Sequence, residues 1–544
     1  MKHYITILLI SFFFVRCADS MLDIQPSDQL SDYTVWDTPS TANLFLNDIY
    51  NSLNNGPIGG NWLQLPAQVS NDILDNYTDN STYGPMGGTF SATLFDNGSY
   101  SPTNLLFTNT WRRMYENIRK CNLFIEKINT TDFDEDIKKN MIAQARFLRV
   151  YYYKILIDIY GGVPLITRVL DRSGDEEIEY PRSSYEECIT FIQEECIAAA
   201  ADLPLVVTGL DIGRATKGAA LMLKGSAELY AERWQEAAET HKQIMELDVY
   251  DLFPDYVGLF YEDNENNEEV IFDVQYAPIV KPIRYNQYMG VPDIPSGGGW
   301  GNCDPTQELI DSYEFIDGKT KDEGSAMYDP ANPYRHREKR FYASILYDGS
   351  TWRGKTLYTR LGIPNNVNEI NLTGIGGNRG RTGYFMRKLQ DSTFQSTPTN
   401  LIGTNSIVFR YAETLLNYAE AQNEFAGPDQ SVYDAINKVR SRVEQPPLPT
   451  GLSKDQMRER IRRERRIELA FEGKWFYDIR RWRLAEGIFS RPMHGMKITE
   501  DNGVLKYEVV EVRKVLFDAN KNYLLPIPQY AIDQNSKLIQ NPGY

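Results

Sequence analysis

AQARFLRVYYYKILIDIYGGVPL, residues 143–165, is the stretch on which the fold turns. From Asp136 to Tyr160 the apolar side chains recur every three to four positions over a span too long for a strand, so the segment reads as one long helix with a broad buried face. Gly161, Gly162 and Pro164 end it, because glycine accepts the left-handed position after a helix and proline cannot carry the hydrogen-bond ladder on. The same period recurs at Thr41–Leu53, at Thr110–Ile128 (Trp111, Met114, Ile118, Leu123 and Phe124 on one side), at Ser184–Ala201, at Lys217–Ala231 and at Gln235–Leu247. The expectation is a mainly α protein.

Lys217–Ala231 and Gln235–Leu247 read as a helical hairpin. Ala219, Ala220 and Ala227 on one arm face Ala237 and Ala238 on the other, and such small residues let two helices approach closely, as in a tetratricopeptide unit. Phe409–Ala426 with Ser431–Val443 reads as a second hairpin, and helix continues to about 488. Residues 254–405 differ. They are rich in Gly, Pro, Asn, Asp and Tyr, with short apolar pieces such as Val270–Val274 and Phe341–Leu346, and PSGGGWGNCDP (295–305) cannot be regular helix. This stretch reads as a loop and short-strand insertion in a helical scaffold. The tail, Tyr523–Tyr544, reads as extended and proline-marked.

The N-terminus has a signal-peptide layout: Lys2, an apolar run from Tyr4 to Val15, then Arg16 and Cys17. The run falls short of the ~20 apolar residues a bilayer span needs. A cysteine at the processing point is where a bacterial lipoprotein carries its acyl chains. The remaining 527 or so residues are therefore expected outside the cytoplasm, tethered by lipid at Cys17. Lys plus Arg is 57 and Asp plus Glu is 74, a formal charge of −17 that repels phosphate backbones and argues against nucleic acid as a partner. Cys121, Cys188, Cys196 and Cys303 make no disulfide framework. Cys188 and Cys196 on one helix would stand ~12 Å apart, beyond bridging distance. Four scattered histidines leave little material for a zinc site or a Ser-His-Asp triad.

Seven blocks, in order, resemble the SusD/RagB family of outer-membrane glycan-binding lipoproteins: MLDIQPSD (21–28), WRRMYENIRKCNLFIEKI (111–128), AQARFLRVYYYKILIDIYGGVPL (143–165), DPTQELIDSYEFIDG (304–318), FRYAETLLNYAEAQNE (409–424), RRERRIELAFEGKWFYDIRRW (462–482) and YLLPIPQYAIDQNSKLIQNPGY (523–544). Lys474 stands where the family usually has Arg, and Arg16 where a small residue usually precedes the cysteine. The resemblance implies four tetratricopeptide-like helix pairs, an elaborated glycan-binding face, docking over a SusC-like TonB-dependent transporter, and no catalysis. It divides the chain into a signal peptide (1–16), a lipidated cysteine and tether (17–40), an N-terminal helical region (41–250), a ligand-binding insertion (251–405) and a C-terminal helical region with its tail (406–544).

A sugar ring offers apolar, weakly positive C–H faces that stack on aromatic rings, and hydroxyls that need Asn, Asp, Gln or Arg. Loop aromatics suit this better than helix aromatics, which are mostly core. Trp300 is the leading candidate, after three glycines and beside Asn302 and Asp304. Trp62, Tyr77 and Tyr83 form a second group with Asn71, Asp72, Asp75 and Asn76; Tyr285 and Tyr288 with Arg284 and Asn286 form a third; Trp352 with Arg353 is a fourth. The charges of 462–482 read as scaffold, with Glu464, Glu468, Glu472 and Asp478 pairing with Arg463, Arg465, Arg480 and Arg481 nearby. GIGGNRG (374–380) lacks the strand and the Lys-Ser/Thr ending of a phosphate loop. EDNENNEE (262–269) and DGKTKDE (317–323) carry oxygen ligands for a structural calcium, without EF-hand spacing, and otherwise read as solvated loops. Two rival functions stand beside glycan capture. One is a secreted glycoside hydrolase, which needs a carboxyl pair flanking one bond. The other is a peptide-binding tetratricopeptide scaffold.

Overall fold

The computed structural model describes residues 34–53, 68–69, 72–84, 90–171, 177–283, 285–292, 299–372, 380–393 and 402–544. The signal segment, Cys17 and most of the tether, and Trp62, lie outside the described residues. The fold is mainly α, as the periodicity predicts. Its spine is a run of antiparallel helices in which each packs on the next: Thr110–Asn129, Glu135–Tyr160, Tyr185–Asp202, Lys217–Tyr230, Trp234–Met245, Tyr411–Ala426 and Gln430–Arg442. Local chemistry sets the ends. Asp134 accepts from the amides of Asp136 and Ile137 to start the long helix, and Gly161 ends it at φ 75°. Ser184 and Glu187 exchange bonds in a capping box at the start of the next.

The insertion leaves and re-enters this spine through one pair of strands. Val270–Val274 runs antiparallel to Ser406–Arg410, and the 411–426 helix then packs directly on Trp234–Met245 as if nothing intervened. The apolar piece 341–346 is not one strand: Lys339–Ser344 is helical and only Ile345–Leu346 pairs, with Phe385–Met386. Residues 34–40, read as tether, already belong to the fold. Val35 is buried, Trp36 packs on Phe45 and Phe124, and Thr38 caps a helix that starts at Pro39. One element was missed altogether, the hairpin Met493–Asp501/Val504–Arg513. Its turn is Asn502-Gly503 with φ 50° and 79°, the left-handed pair that a two-residue hairpin requires.

The 462–482 block is scaffold, with Ile467, Ala470, Phe471, Phe476 and Ile479 buried. Its ion pairs, however, are mostly not the near neighbours expected. Asp478 does bind Arg465 and Arg481. Glu468 instead receives Arg340, Arg410 and Arg442, Glu464 receives Arg340 and Arg440, and Glu472 receives Arg410 and Lys388. Arg463 turns to Glu323, and Arg480 lies 3.6 Å over the Phe476 ring and donates to Phe476 O, with no carboxylate partner among the described residues. Sequence spacing reveals only pairs one helical turn apart. These pairs form across chain separations of 24 to 140 residues, and those made by Glu323, Arg340 and Lys388 fasten the insertion to the C-terminal helices.

Candidate ligand-binding face

The geometry around Trp300 is built by backbone. Residues 287–291 and 299–302 run side by side: the Gly299 amide donates to Val291 O (3.0 Å), Trp300 to Gln287 O (2.8 Å), Gly301 to Gly290 O (2.9 Å) and Asn302 to Tyr288 O (2.9 Å). Glycine is required at the crossing, because a Cβ on Gly299 would lie 2.0 Å from Gly290 O. The result sets Trp300 against Tyr288, ring centroids 5.0 Å apart and planes inclined by 59°. Both side chains are half-buried, so each keeps part of a ring open to solvent.

The N-terminal loop is the floor rather than the face. Asn76 Nδ2 donates to Asn302 O (2.7 Å), strand Ser81–Thr82 pairs with Asp304–Pro305, and Thr306 N–H donates to Asn80 O (3.0 Å). Gly84 sits so close that an added Cβ would fall 1.9 Å from Gly301 O. Gly84→Ala is therefore expected to push the Trp300 segment away, costing about 1–3 kcal/mol of stability and weakening ligand binding along with it. Unchanged affinity in the folded variant would show that the floor does not position Trp300.

Several candidates drop out on burial. Tyr77 has no exposed surface and is wedged edge-on against Phe95 (5.3 Å) and Phe107 (5.6 Å). Tyr83 is buried, and Asn302 is fully enclosed. Trp352 lies in a small core with Val291, Leu346, Leu357 and Phe385, and Val291 belongs to the segment that runs beside Trp300. A ring without an open face cannot stack on a sugar, so Trp352 supports the site from within that core. Asp75 is also fully buried. Its carboxylate accepts from Asn80 Nδ2 (2.9 Å) and from the amides of Phe471 and Gly473 (3.1 Å each), and burial raises its pKa. It clamps the turn where Phe471 and Gly473 adopt φ 67° and 73°. Asp75→Ala strands those donors and should cost about 3 kcal/mol in a denaturant titration, while the glycan affinity of the folded variant stays unchanged.

Trp300 and Tyr288 thus remain together, and Trp62 and the side chain of Tyr285 lie outside the described residues. Gln287, half-buried and accepting the Trp300 amide on its carbonyl, was overlooked; the signal was its place in Tyr-Asn-Gln-Tyr, a polar side chain between two rings. Asp304, beside the site, is fully buried, accepts the Arg381 amide (2.6 Å) and is pushed well up in pKa by burial. Of the calcium candidates, Glu269 is taken by Arg410 and Arg442, and Glu323 by Arg460 and Arg463. Among the described residues no group of three or more His, Cys, Asp or Glu is arranged to hold a metal ion. A cavity of about 680 Å³ beside Tyr115, Ile118 and Asn122 is lined by none of these aromatics. An extended polymer needs an open ledge instead.

The sequence model of the SusD family matches residues 268–544, just over half of the chain. The chain belongs to the SusD family. A second family, described as starch-binding and associating with the outer membrane, matches residues 26–224. A SusD-like protein of Formosa agariphila is 25% identical with both chains covered in full. Two solved structures from Bacteroides fragilis agree in fold. A SusD-like protein is 31% identical with a TM-score of 0.80, covering 96% of this chain and 100% of that one. A SusD-like carbohydrate binding protein is 28% identical with a TM-score of 0.82, covering 93% and 100%. No helix among the described residues is long and apolar enough to cross a membrane.

Proposed function

We propose that this SusD-family protein is a cell-surface lipoprotein, acylated at Cys17, that captures an oligo- or polysaccharide without cleaving it and passes it to a SusC-like TonB-dependent transporter of the outer membrane. The observation that carries the reading is the half-open Trp300–Tyr288 pair, set by the close crossing of Gly290 and Gly299. Two inclined rings cradle the apolar faces of successive pyranoses, and Gln287 stands beside them for hydroxyl contacts. Binding without hydrolysis is supported by the nearby carboxylates. Asp75 and Asp304 are buried and committed to backbone amides, so neither is placed to flank a scissile bond exposed at the ledge. An open face encloses little of the ligand, so affinity per site is modest.

The test is affinity electrophoresis over a panel of polysaccharides, with each incubation also run on chromatography. Retardation by one glycan with no released product supports the reading. Product release would make the protein a hydrolase. Failure across the panel, together with tight peptide binding, would make it a tetratricopeptide-type scaffold.

A further inference from the structure

An aliphatic surface stands where the chain enters the fold. Arg214, which follows the loop 205–212, donates to Asn43 (3.0 Å) and Asn47 (2.7 Å) of helix Pro39–Asn51, the first described helix, and the Ala215 amide donates to Tyr50. A Cβ on neighbouring Gly213 would fall 2.3 Å from Gln275 Cγ, so the turn Ala277–Lys281 stands beside the same loop. Both tips are apolar and stripped of cover: Leu210 is 102% exposed, Val280 88% and Ile279 78%, and Val206 and Ile212 of the same loop and Leu44 of the helix that Arg214 grips are exposed as well. Soluble monomers rarely leave such a group in water unless it meets something. Ile279 moreover holds φ 67°, a left-handed conformation that β-branched residues seldom adopt, and it does so to point an aliphatic side chain outward.

We propose that these two tips, with Leu44, rest in the headgroup–acyl boundary of the lipid bilayer and fix the orientation of the body on the membrane. Shape favours lipid over a folded partner. Narrow aliphatic tips on separate loops would need matching holes in a rigid protein, whereas a fluid interface conforms to them. Position favours it too. Arg214 ties the patch to helix Pro39–Asn51, which begins 22 residues after Cys17, so the patch lies at the end of the body nearest in the chain to the point of attachment. That second argument rests on the lipid attachment at Cys17 proposed above, so the test supplies its own tether.

The mature chain with Cys17→Ser and an N-terminal histidine tag is bound to vesicles of phosphatidylethanolamine and phosphatidylglycerol containing a nickel-chelating lipid. Leu210→Cys, Val280→Cys and, as control, Val504→Cys at the end of the exposed hairpin each carry an environment-sensitive fluorophore; Cys121, Cys188, Cys196 and Cys303 are buried and do not compete for the label. Labels at 210 and 280 are expected to shift to the blue and to be quenched by nitroxide-bearing lipid at least twofold more than the label at 504. Water-like emission at 210 and 280, matching that at 504, overturns the proposal. So does shielding that develops only on membranes containing a transporter, which would assign the patch to a protein partner.

Discussion

Glu468→Ala is expected to lower the unfolding free energy by about 3–5 kcal/mol, read as a large fall in the urea midpoint. Glu468 is fully buried and accepts from Arg410 (2.7 Å), Arg340 (3.0 Å) and Arg442. Those three guanidiniums come from the insertion, from the start of the 411–426 helix and from the end of the 430–442 helix. Removing their shared anion leaves buried positive charges facing one another, which costs far more than the loss of an exposed pair. Glu468→Gln keeps the shape but loses the charge and should fall between wild type and alanine. A change below about 1 kcal/mol for Glu468→Ala would mean that the network is not what holds the insertion to the scaffold.

The same network sets a pH dependence. Burial opposes ionisation of Glu472, but Arg410 and Lys388 outweigh it and hold its pKa down to about 2; Glu468 is held well below the ordinary range by Arg442, Arg410 and Arg340 against the same penalty. A carboxylate depressed in the folded state adds stability that is complete above its unfolded pKa, near 4.5, and is lost as pH falls toward 2. Glu338 runs the other way. Burial pushes it up to about 7 despite Arg340, so its contribution is complete below about 4.5 and is lost as pH rises to 7. Unfolding midpoints measured from pH 7 to 3 should show the acid-side loss, and Glu472→Gln should flatten it.

The helices were legible because their signals are local. Thr110, Glu135 and Lys217 begin helices within a residue of the expected starts, through a 3.6-residue period and, for the last two, side-chain caps from Asp134 and Thr216. The strand Val270–Val274 was equally plain, since a five-residue apolar run between polar stretches is a complete signal. What failed was everything decided at long range. A loop written in Asn, Asp and Tyr reads as a solvent-facing ligand site, yet Asp75, Asn76 and Asn80 satisfy one another and distant backbone internally and bury Tyr77. Composition cannot separate a polar loop that faces water from one whose polar groups are paired inside. The long hairpin was different, for Asn502-Gly503 was there to be read.

Trp300→Ala is the second change expected to have a large effect. The indole is half-exposed against Tyr288, so truncation removes the larger of two stacking surfaces and leaves its neighbour without support. A central aromatic of this kind accounts for about 2 kcal/mol of binding, roughly a thirtyfold loss of affinity. Tyr288→Ala should lose less, because the smaller ring offers less contact area. Fold stability should change little for Trp300→Ala, whereas Tyr288→Ala should also cost some stability, since its ring packs against the main core. The Trp352 ring is a contrast: Trp352→Ala opens a core cavity and should cost about 3–5 kcal/mol in stability.

The most direct measurement is a calorimetric titration of the retarding glycan into wild type and Trp300→Ala side by side. A drop of roughly thirtyfold in affinity, with the unfolding midpoint unchanged, is the expected result. Equal affinity in the two proteins would contradict the account, because the ledge of Trp300 and Tyr288 would then not be where the saccharide is held.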